Sequence, residues 1–566
     1  MVLGLAIAAV AVLPMVELGE LSRRSQSNWE LYISKALPPR QLLGIALPFA
    51  FGGFWFDGEI PVPYFGLGGP AENTGYGGFL PLALALAAPF VMSAQRRDAQ
   101  LWLALIVLSA VLCLGSVTPI GTLFYYAPGY ASFRVPARHL FVVSLCISVL
   151  SGMAFAELTR LREGWGRIAA AVAVTAAAAG LVFVALSTWS ADVRALVGDS
   201  AIYVRWALQW PALLVASILG LALIAWAMGR WRASLVAFAT LLIAAHVVDL
   251  GMLHYRMPGY RFVYADIRRS EAVPHPKVVA LRDELRRTGE RVLATDGSKN
   301  QFLLPNLTRP WDVPAASGTG SLGIERYLDV LGMGGPGDVY PETLLGEHRG
   351  VDLFGIRYAY VREGTPLAAQ VTAQTDGWTA VENLHYYDDD PDTFYTVFRN
   401  ERPRPRAWCV ASVARVEPRE ALDTIRSGHL PRGAGEFRPE SVALIEPDML
   451  PSWTNGPAAP EGAPESATVL AQPGRREYVV TSPAPCLLVL GEVHYPWWRA
   501  SIDGESADVA RVNHAMVGVP VPAGSHVIRL DLQPWTVWIG AAISASAMLF
   551  WLGIIAVGAR PYPYVP

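Results

Sequence analysis

The chain has 566 residues, of which 52% are hydrophobic and only 16% charged, and its mean hydropathy is +0.32. Soluble domains carry about 25% charged residues, so this chain needs lipid as part of its solvent. A net charge of −3, with no basic run and no repeated aromatic–basic pattern, excludes nucleic acid as a partner.

Crossing ~30 Å of hydrocarbon takes about 20 helical residues free of buried charge. Residues 2–18 form a short first candidate, while 42–56 is interrupted by Pro48 and Gly52 and reads as re-entrant or interfacial. Charge-free stretches follow at 73–95, 99–133, 140–156, 168–190, 210–228 and 532–559, and 233–253 is mostly apolar with His246 and Asp249 near a helix end at the interface. The expected architecture is therefore a polytopic α-helical membrane domain of about eight spans, with a large extracytoplasmic α+β, β-rich portion ending in a small β-sandwich before the last span.

Arg96 and Arg97, Arg160, Arg162 and Arg167, and Arg230 and Arg232 fall in alternate loops, which places those loops in the cytoplasm and residues 254–533 outside it. The stretch 19–41 dissents with Arg23, Arg24, Lys35 and Arg40, read as lying along the interface with its cations on lipid phosphates. No positive charge precedes the first apolar run, so the expectation is that further spans precede Met1.

In the extracytoplasmic portion, Val278, Leu281 and Leu285 share one face of a helix over 276–288, with Gly289 as its stop. Short apolar runs at 351–361, 393–399, 407–413 and 441–446 read as strands. The expected organisation is a membrane domain at 1–253, a mixed α/β region at 254–450, a Pro/Gly/Ala-rich linker at 451–466, a membrane-proximal β-sandwich at 467–533 and a final span at 534–558. Within the sandwich, Asp503-Gly504 and Ala523-Gly524 mark tight turns.

Cys113 and Cys146 lie inside expected spans. Cys409 and Cys486 lie where an oxidant could bridge them, but both sit in apolar strand-like runs, where free Cys packs as a small hydrophobe, and two free thiols are the expectation. The spacings of His494, His514 and His526 fit no metal motif, and the acidic groups Asp57 with Glu59 and Asp388 to Asp390 with Asp392 read as solvated turns.

Several blocks of this chain resemble the bacterial YfhO-like membrane proteins, which are similar to the GT-C superfamily of polytopic glycosyltransferases. They are AVLPMVELGELSRRS at 11–25, GPAENTGYGGFLPLALAL at 69–86, APGYASFRVPARHLFVVSLCISVLSGMA at 127–154, VDLFGIRYAYV at 351–361, and VHYPWWRASIDG with VNHAMVGVPVPAGSHVIRL within 493–530. The resemblance implies a lipid-linked-sugar transferase of the cytoplasmic membrane, moving sugar from a polyprenyl phosphate to an envelope glycopolymer on the outer face. It also implies that the loop bearing the catalytic carboxylate lies ahead of Met1, so no catalytic residue is assigned, and a divalent metal is expected only with that longer protein. The alternative is a non-catalytic, membrane-anchored module that binds or organises envelope glycopolymers.

Arg134 and Arg138 stand four apart at the mouth of a span, where they could grip the donor phosphate with His139 beside them, or else snorkel to lipid headgroups. Glu72 and Glu17 are the acidic residues nearest the outer face, and could meet a metal or acceptor, cap a helix, or pair with Arg23 or Arg24. Tyr495, Trp497 and Trp498 are candidates for stacking on sugar rings, against the default of core packing.

Overall fold

The computed structural model describes residues 2–26, 29–33, 36–52, 54–56, 60–62, 64–92, 95–127, 130, 135–160, 234–256, 274–295, 303, 307–318, 322–335, 338–346, 350–373, 377–385, 394–447, 449, 465–472 and 474–558. The chain forms two compact units, one of residues 1–25 with 265–566 and one of residues 26–264.

Among the described residues, about eight apolar spans are not present. Among the described residues, two helices are long and apolar enough to cross a membrane, Pro136–Glu157 and Trp535–Ala556, and much of the rest is β-sheet. Freedom from charge did not mean continuous helix. The 2–18 stretch breaks at Ala8 into helices Val2–Ile7 and Ala9–Glu20. The 73–95 stretch is helical over Phe79–Val91, 13 residues and about 20 Å at 1.5 Å per residue. Its start is set by Gly78, whose φ of 99° favours glycine. The 99–133 stretch ends its first helix, Arg96–Cys113, at a turn through Gly115 (φ 51°), and Thr118 caps a new short helix, Pro119–Tyr125. Expected spans at 168–190 and 210–228 lie outside the described residues.

In the unit of residues 26–264, helices Phe79–Val91, Arg96–Cys113 and Leu140–Arg160 pack through small residues, Ala85, Ala88, Ala99 and Ala154, with Val143, Ile147 and Leu150 filling the seam. Asp249, expected at an interface, is buried instead. It accepts hydrogen bonds from the Tyr76 hydroxyl at 2.8 Å and from the Phe79 backbone N–H at 2.9 Å, which places a carboxylate on the positive end of the Phe79–Val91 helix.

In the other unit, helix Pro276–Thr288 forms as expected, stopped by Gly289 in the left-handed region and burying Val278, Leu281 and Leu285. These residues pack on Tyr360, Tyr395 and Val397 of a four-stranded sheet ordered Arg291–Ala294, Ile356–Arg362, Phe394–Asn400, Trp378–His385. Residues 351–353 of the expected 351–361 strand belong to a helical turn, Gly350–Leu353, and the strand begins at Ile356.

Two further sheets lie face to face. One has five strands, ordered Glu465–Gln472, Arg475–Ser482, Gly524–Leu532, Trp498–Ile502, Glu505–Ala507. The other has six, ordered Ser412–Arg415, Val442–Ile445, Ala510–Val512, Met516–Val521, Cys486–Val493, Ala407–Val410. The sandwich thus draws three strands from ahead of residues 451–466. The run CLLVL at 486–490 is continuously apolar because the six-stranded sheet is covered on both faces. Leu488 and Leu490 face the five-stranded sheet, while Leu487 and Val489 face a core shared with Leu328, Leu331 and Phe354.

Cys409 and Cys486 are joined by a disulfide, which corrects the expectation of two free thiols. Cys409 pairs with Leu488 across antiparallel strands, so Cys486 is its diagonal neighbour on the same face, with the Cα atoms 5.6 Å apart. Closing a loop of 77 residues restricts the unfolded chain by about 4 kcal/mol. The Cys409→Ala/Cys486→Ala variant is therefore expected to lose about that much stability in denaturant unfolding, and reductant should lower the wild type to the same midpoint while leaving the variant unmoved.

Candidate functional site

The predicted residues fall into separate groups. In the unit of residues 26–264, Arg138 Nη2 donates to Glu72 Oε1 at 2.7 Å, so the expected phosphate grip is met by a carboxylate of the same unit. Both side chains are about half exposed, and a pair of that kind contributes roughly 0–1 kcal/mol. His139 is held by the Tyr130 hydroxyl, 2.8 Å from its Nε2, and the two rings stack. Arg134, Asp57, Glu59 and the acidic run at 388–392 lie outside the described residues.

Glu17 belongs to the other unit, where helix Ala9–Glu20 packs along helix Trp535–Gly558. Its Oε2 accepts from the Thr536 hydroxyl at 2.5 Å. Tyr495 lies beside it, and burial together with the Glu17 carboxylate pushes that phenol up. Arg23 pairs with Asp329 in place of Glu17. Its Nη2 donates to Asp329 at 2.7 Å and its Nη1 to the Gly334 carbonyl at 2.7 Å.

Of the candidate sugar-stacking aromatics, Trp498 follows the default of core packing: it is buried between the two sheets and donates from Nε1 to the Val493 carbonyl at 3.0 Å. Trp497 is half-buried, with the Arg499 guanidinium 5.7 Å from its ring centroid and its own Nε1 without a hydrogen-bond partner among the described residues. Its carbonyl accepts from Gln533 N–H at 2.9 Å, where the sandwich hands over to the last helix.

Sequence reasoning missed two charged clusters because their members are far apart in the chain. The first surrounds the turn between strands Ala510–Val512 and Met516–Val521, where Asn513 and His514 take φ of 45° and 68°. The left-handed conformation lets Asn513 act as a surrogate strand for Leu444, donating from its N–H at 2.8 Å and accepting on Oδ1 at 2.9 Å. His514 Nδ1 bonds the Pro418 carbonyl at 3.0 Å, and its Nε2 stands 3.9 Å from Asp329. Burial works to raise Asp329, but His514 and Arg23 outweigh it and hold the carboxyl below the usual range. Close by in sequence, Arg511 and Arg326 share Glu446, with Arg511 Nη2 at 2.5 Å.

His494 is depressed to about 4 by burial, then by Arg511 and Arg326. A folded state that refuses a proton the unfolded chain accepts near pH 6.5 loses stability as the pH falls from about 6.5 to about 4, by up to about 3 kcal/mol. Below that window the low-lying carboxylates of Asp329, Glu446 and Glu492 add further loss as they protonate. Denaturant midpoints measured against pH should show this limb in the wild type and a flattened one between pH 6.5 and 4 in His494→Asn.

The second cluster gathers where the four-, five- and six-stranded sheets meet. Glu492 stands at a bulge near the end of strand Cys486–Val493. Arg291 opens strand Arg291–Ala294, and Arg406 precedes strand Ala407–Val410, with its carbonyl accepting from Gly491 N–H at 2.8 Å. Arg476 and Tyr478 stand two apart on strand Arg475–Ser482, and so share its inward face. Arg291 Nη2 and Arg476 Nε each donate to Glu492 Oε1 at 3.1 Å, and Arg406 Nε stands 3.7 Å from the same oxygen. Burial raises Glu492, but the guanidiniums of Arg291, Arg476 and Arg406 prevail and hold it down, whereas burial and Arg291 lower Arg406 to about 10.

Among the described residues, no group of three or more His, Cys, Asp and Glu side chains is gathered that could hold a metal ion. No protein-family model, curated protein or solved structure matches the chain.

Proposed function

We propose that the protein is a non-catalytic, membrane-anchored module of the bacterial envelope that holds a β-rich head at the outer surface of the bilayer and binds envelope glycopolymers there. The observation that carries this reading is the join between sandwich and helix. Strand Gly524–Leu532 passes through Gln533 and Pro534 directly into Trp535–Gly558, an apolar helix of 24 residues, about 36 Å long and enough to span hydrocarbon. With so short a join, insertion of the helix fixes the sandwich at the headgroups and leaves Trp497 beside the surface.

The carboxylates favour binding over transfer. A general base needs an unencumbered oxygen within reach of the acceptor hydroxyl. Glu72 is paired with Arg138, and Glu17 accepts from Thr536 on Oε2 while its Oε1, without a hydrogen-bond partner among the described residues, is buried out of reach of an acceptor in solution. Trp497 is the aromatic best placed for a sugar ring, since it is only half-buried where Trp498 is core, and Arg499 over its ring steadies it.

The test is co-sedimentation of the full chain, in lipid nanodiscs, with purified envelope polysaccharide. Trp497→Ala should weaken binding about fivefold, the loss expected for truncating an aromatic anchor, with Trp498→Phe as the control, since it disturbs the packing between the sheets and leaves Trp497 in place. Retention of polysaccharide at wild-type affinity by Trp497→Ala would remove the proposed contact, and release of labelled sugar from a polyprenyl-phosphate donor would restore the transferase reading.

A further inference from the structure

We propose that Arg291, Arg406, Arg476 and Tyr478, gathered beside Glu492, form a binding site for a phosphate group. The first argument is charge. Three guanidiniums meet a single carboxylate, an excess of two positive charges on side chains that are 12%, 13% and 16% exposed. Glu492 cannot neutralise them. Its Oε1 is shared by Arg291, Arg476 and Arg406, and its Oε2 takes a long contact from Arg476 Nη2 at 3.4 Å. Uncompensated charge held this far from water calls for a counter-ion.

The second argument is independent of charge. Arg406 Nε and the Tyr478 hydroxyl are both buried without a hydrogen-bond partner among the described residues, and Tyr478 is 0% exposed. Buried donors are almost always satisfied, so two unmet donors beside a cation excess mark a place for an acceptor. Glu492, Arg406, Arg476 and Arg291 all act on the Tyr478 phenol, which places its hydroxyl at this cluster. Planar guanidinium forks and a phenolic O–H match the several acceptor oxygens of a phosphate better than a single spherical anion.

Other hydrogen bonds hold the frame in place. Arg291 Nη1 is fixed by the Phe354 carbonyl at 2.8 Å, and Arg476 Nη1 by the carbonyls of Arg475, at 3.0 Å, and Gln472. The site is therefore preorganised by backbone of the five-stranded sheet and of the turn ahead of strand Ile356–Arg362, and does not depend on the sugar-binding reading of Trp497. The phosphate is either the free ion or a phosphodiester of an envelope polymer, and the two sources are told apart experimentally.

The full chain in nanodiscs is titrated calorimetrically with inorganic phosphate and, separately, with a glycerol-phosphate polymer matched in phosphate, at constant ionic strength in chloride. One phosphate per chain is expected to bind and raise the unfolding temperature. Tighter binding of the polymer assigns the site to a phosphodiester, and equal or weaker binding assigns it to the free ion. Tyr478→Phe, which keeps the ring and removes the hydroxyl, should weaken binding about tenfold without lowering the unfolding temperature of the unliganded protein. Arg406→Gln should abolish binding, and should that variant fail to fold, Tyr478→Phe decides alone. Absence of binding by either ligand, or unchanged binding in Tyr478→Phe, would overturn the proposal.

Discussion

A helix of 24 residues that is apolar all round has to be taken out of water, and the unit built from residues 1–25 and 265–566 is organised by that requirement. Trp538, Leu549 and Phe550 of this helix are 65%, 70% and 63% exposed. Each such side chain gains roughly 2 kcal/mol on leaving water, which is the gain that the proposed membrane insertion would draw on. Where the helix is covered, it is covered by residues 2–20. Gly540 lets the backbone at Ala9 and Val10 approach closely, and a side chain there would collide with the Ala9 carbonyl at 2.5 Å. The break at Ala8 leaves Val10 N–H to donate to Ser544 Oγ at 3.0 Å, while Glu17 ties the other end of the pair to Thr536.

From that pair the order passes into the head by backbone as well as side chain. Leu21 and Ser22 contact the segment at Ile324 and Glu325, and Arg23 closes on Asp329, which His514 approaches from the strained turn after Val512. The same turn fixes Leu444, a strand that precedes residues 451–466, against strands that follow them. A disulfide and a six-stranded sheet thus bind together parts of the chain that composition alone would divide. The cluster at Glu492 follows from this closure, since its arginines are contributed by strands of three different sheets.

Local periodicity was legible wherever it was uninterrupted. Pro276, the apolar face of Val278, Leu281 and Leu285, and Gly289 specify one helix from start to stop, and Asp503-Gly504 specifies a hairpin in which both residues take positive φ. The count of spans failed because apolar composition carries no information on continuity. Gly78 and the Thr118-Pro119 cap start helices of 13 and 7 residues, too short to cross a bilayer, and Gly115 ends an 18-residue helix whose first turn carries Arg96, Arg97 and Asp98. Pairing between distant segments was invisible for a different reason. Residues 291, 406, 476 and 492 have no periodic relation in the chain, and Arg406 meets Gly491 only because Ala407 pairs with Leu490. The Cys409–Cys486 bridge depends on the same register.

The account rests on the sandwich standing outside the cell on an inserted Trp535–Gly558 helix. The native cysteines leave a clean background for a direct measurement, since Cys409 and Cys486 are bonded and Cys113 and Cys146 are buried. Single cysteines are placed at Ser506, exposed on the hairpin, and at Leu549, on the apolar helix, and intact cells are treated with a membrane-impermeant maleimide. The account predicts that Ser506→Cys is labelled in intact cells and that Leu549→Cys stays unlabelled until detergent is added. Labelling of Ser506→Cys only after permeabilisation, or of Leu549→Cys in intact membranes, would contradict it.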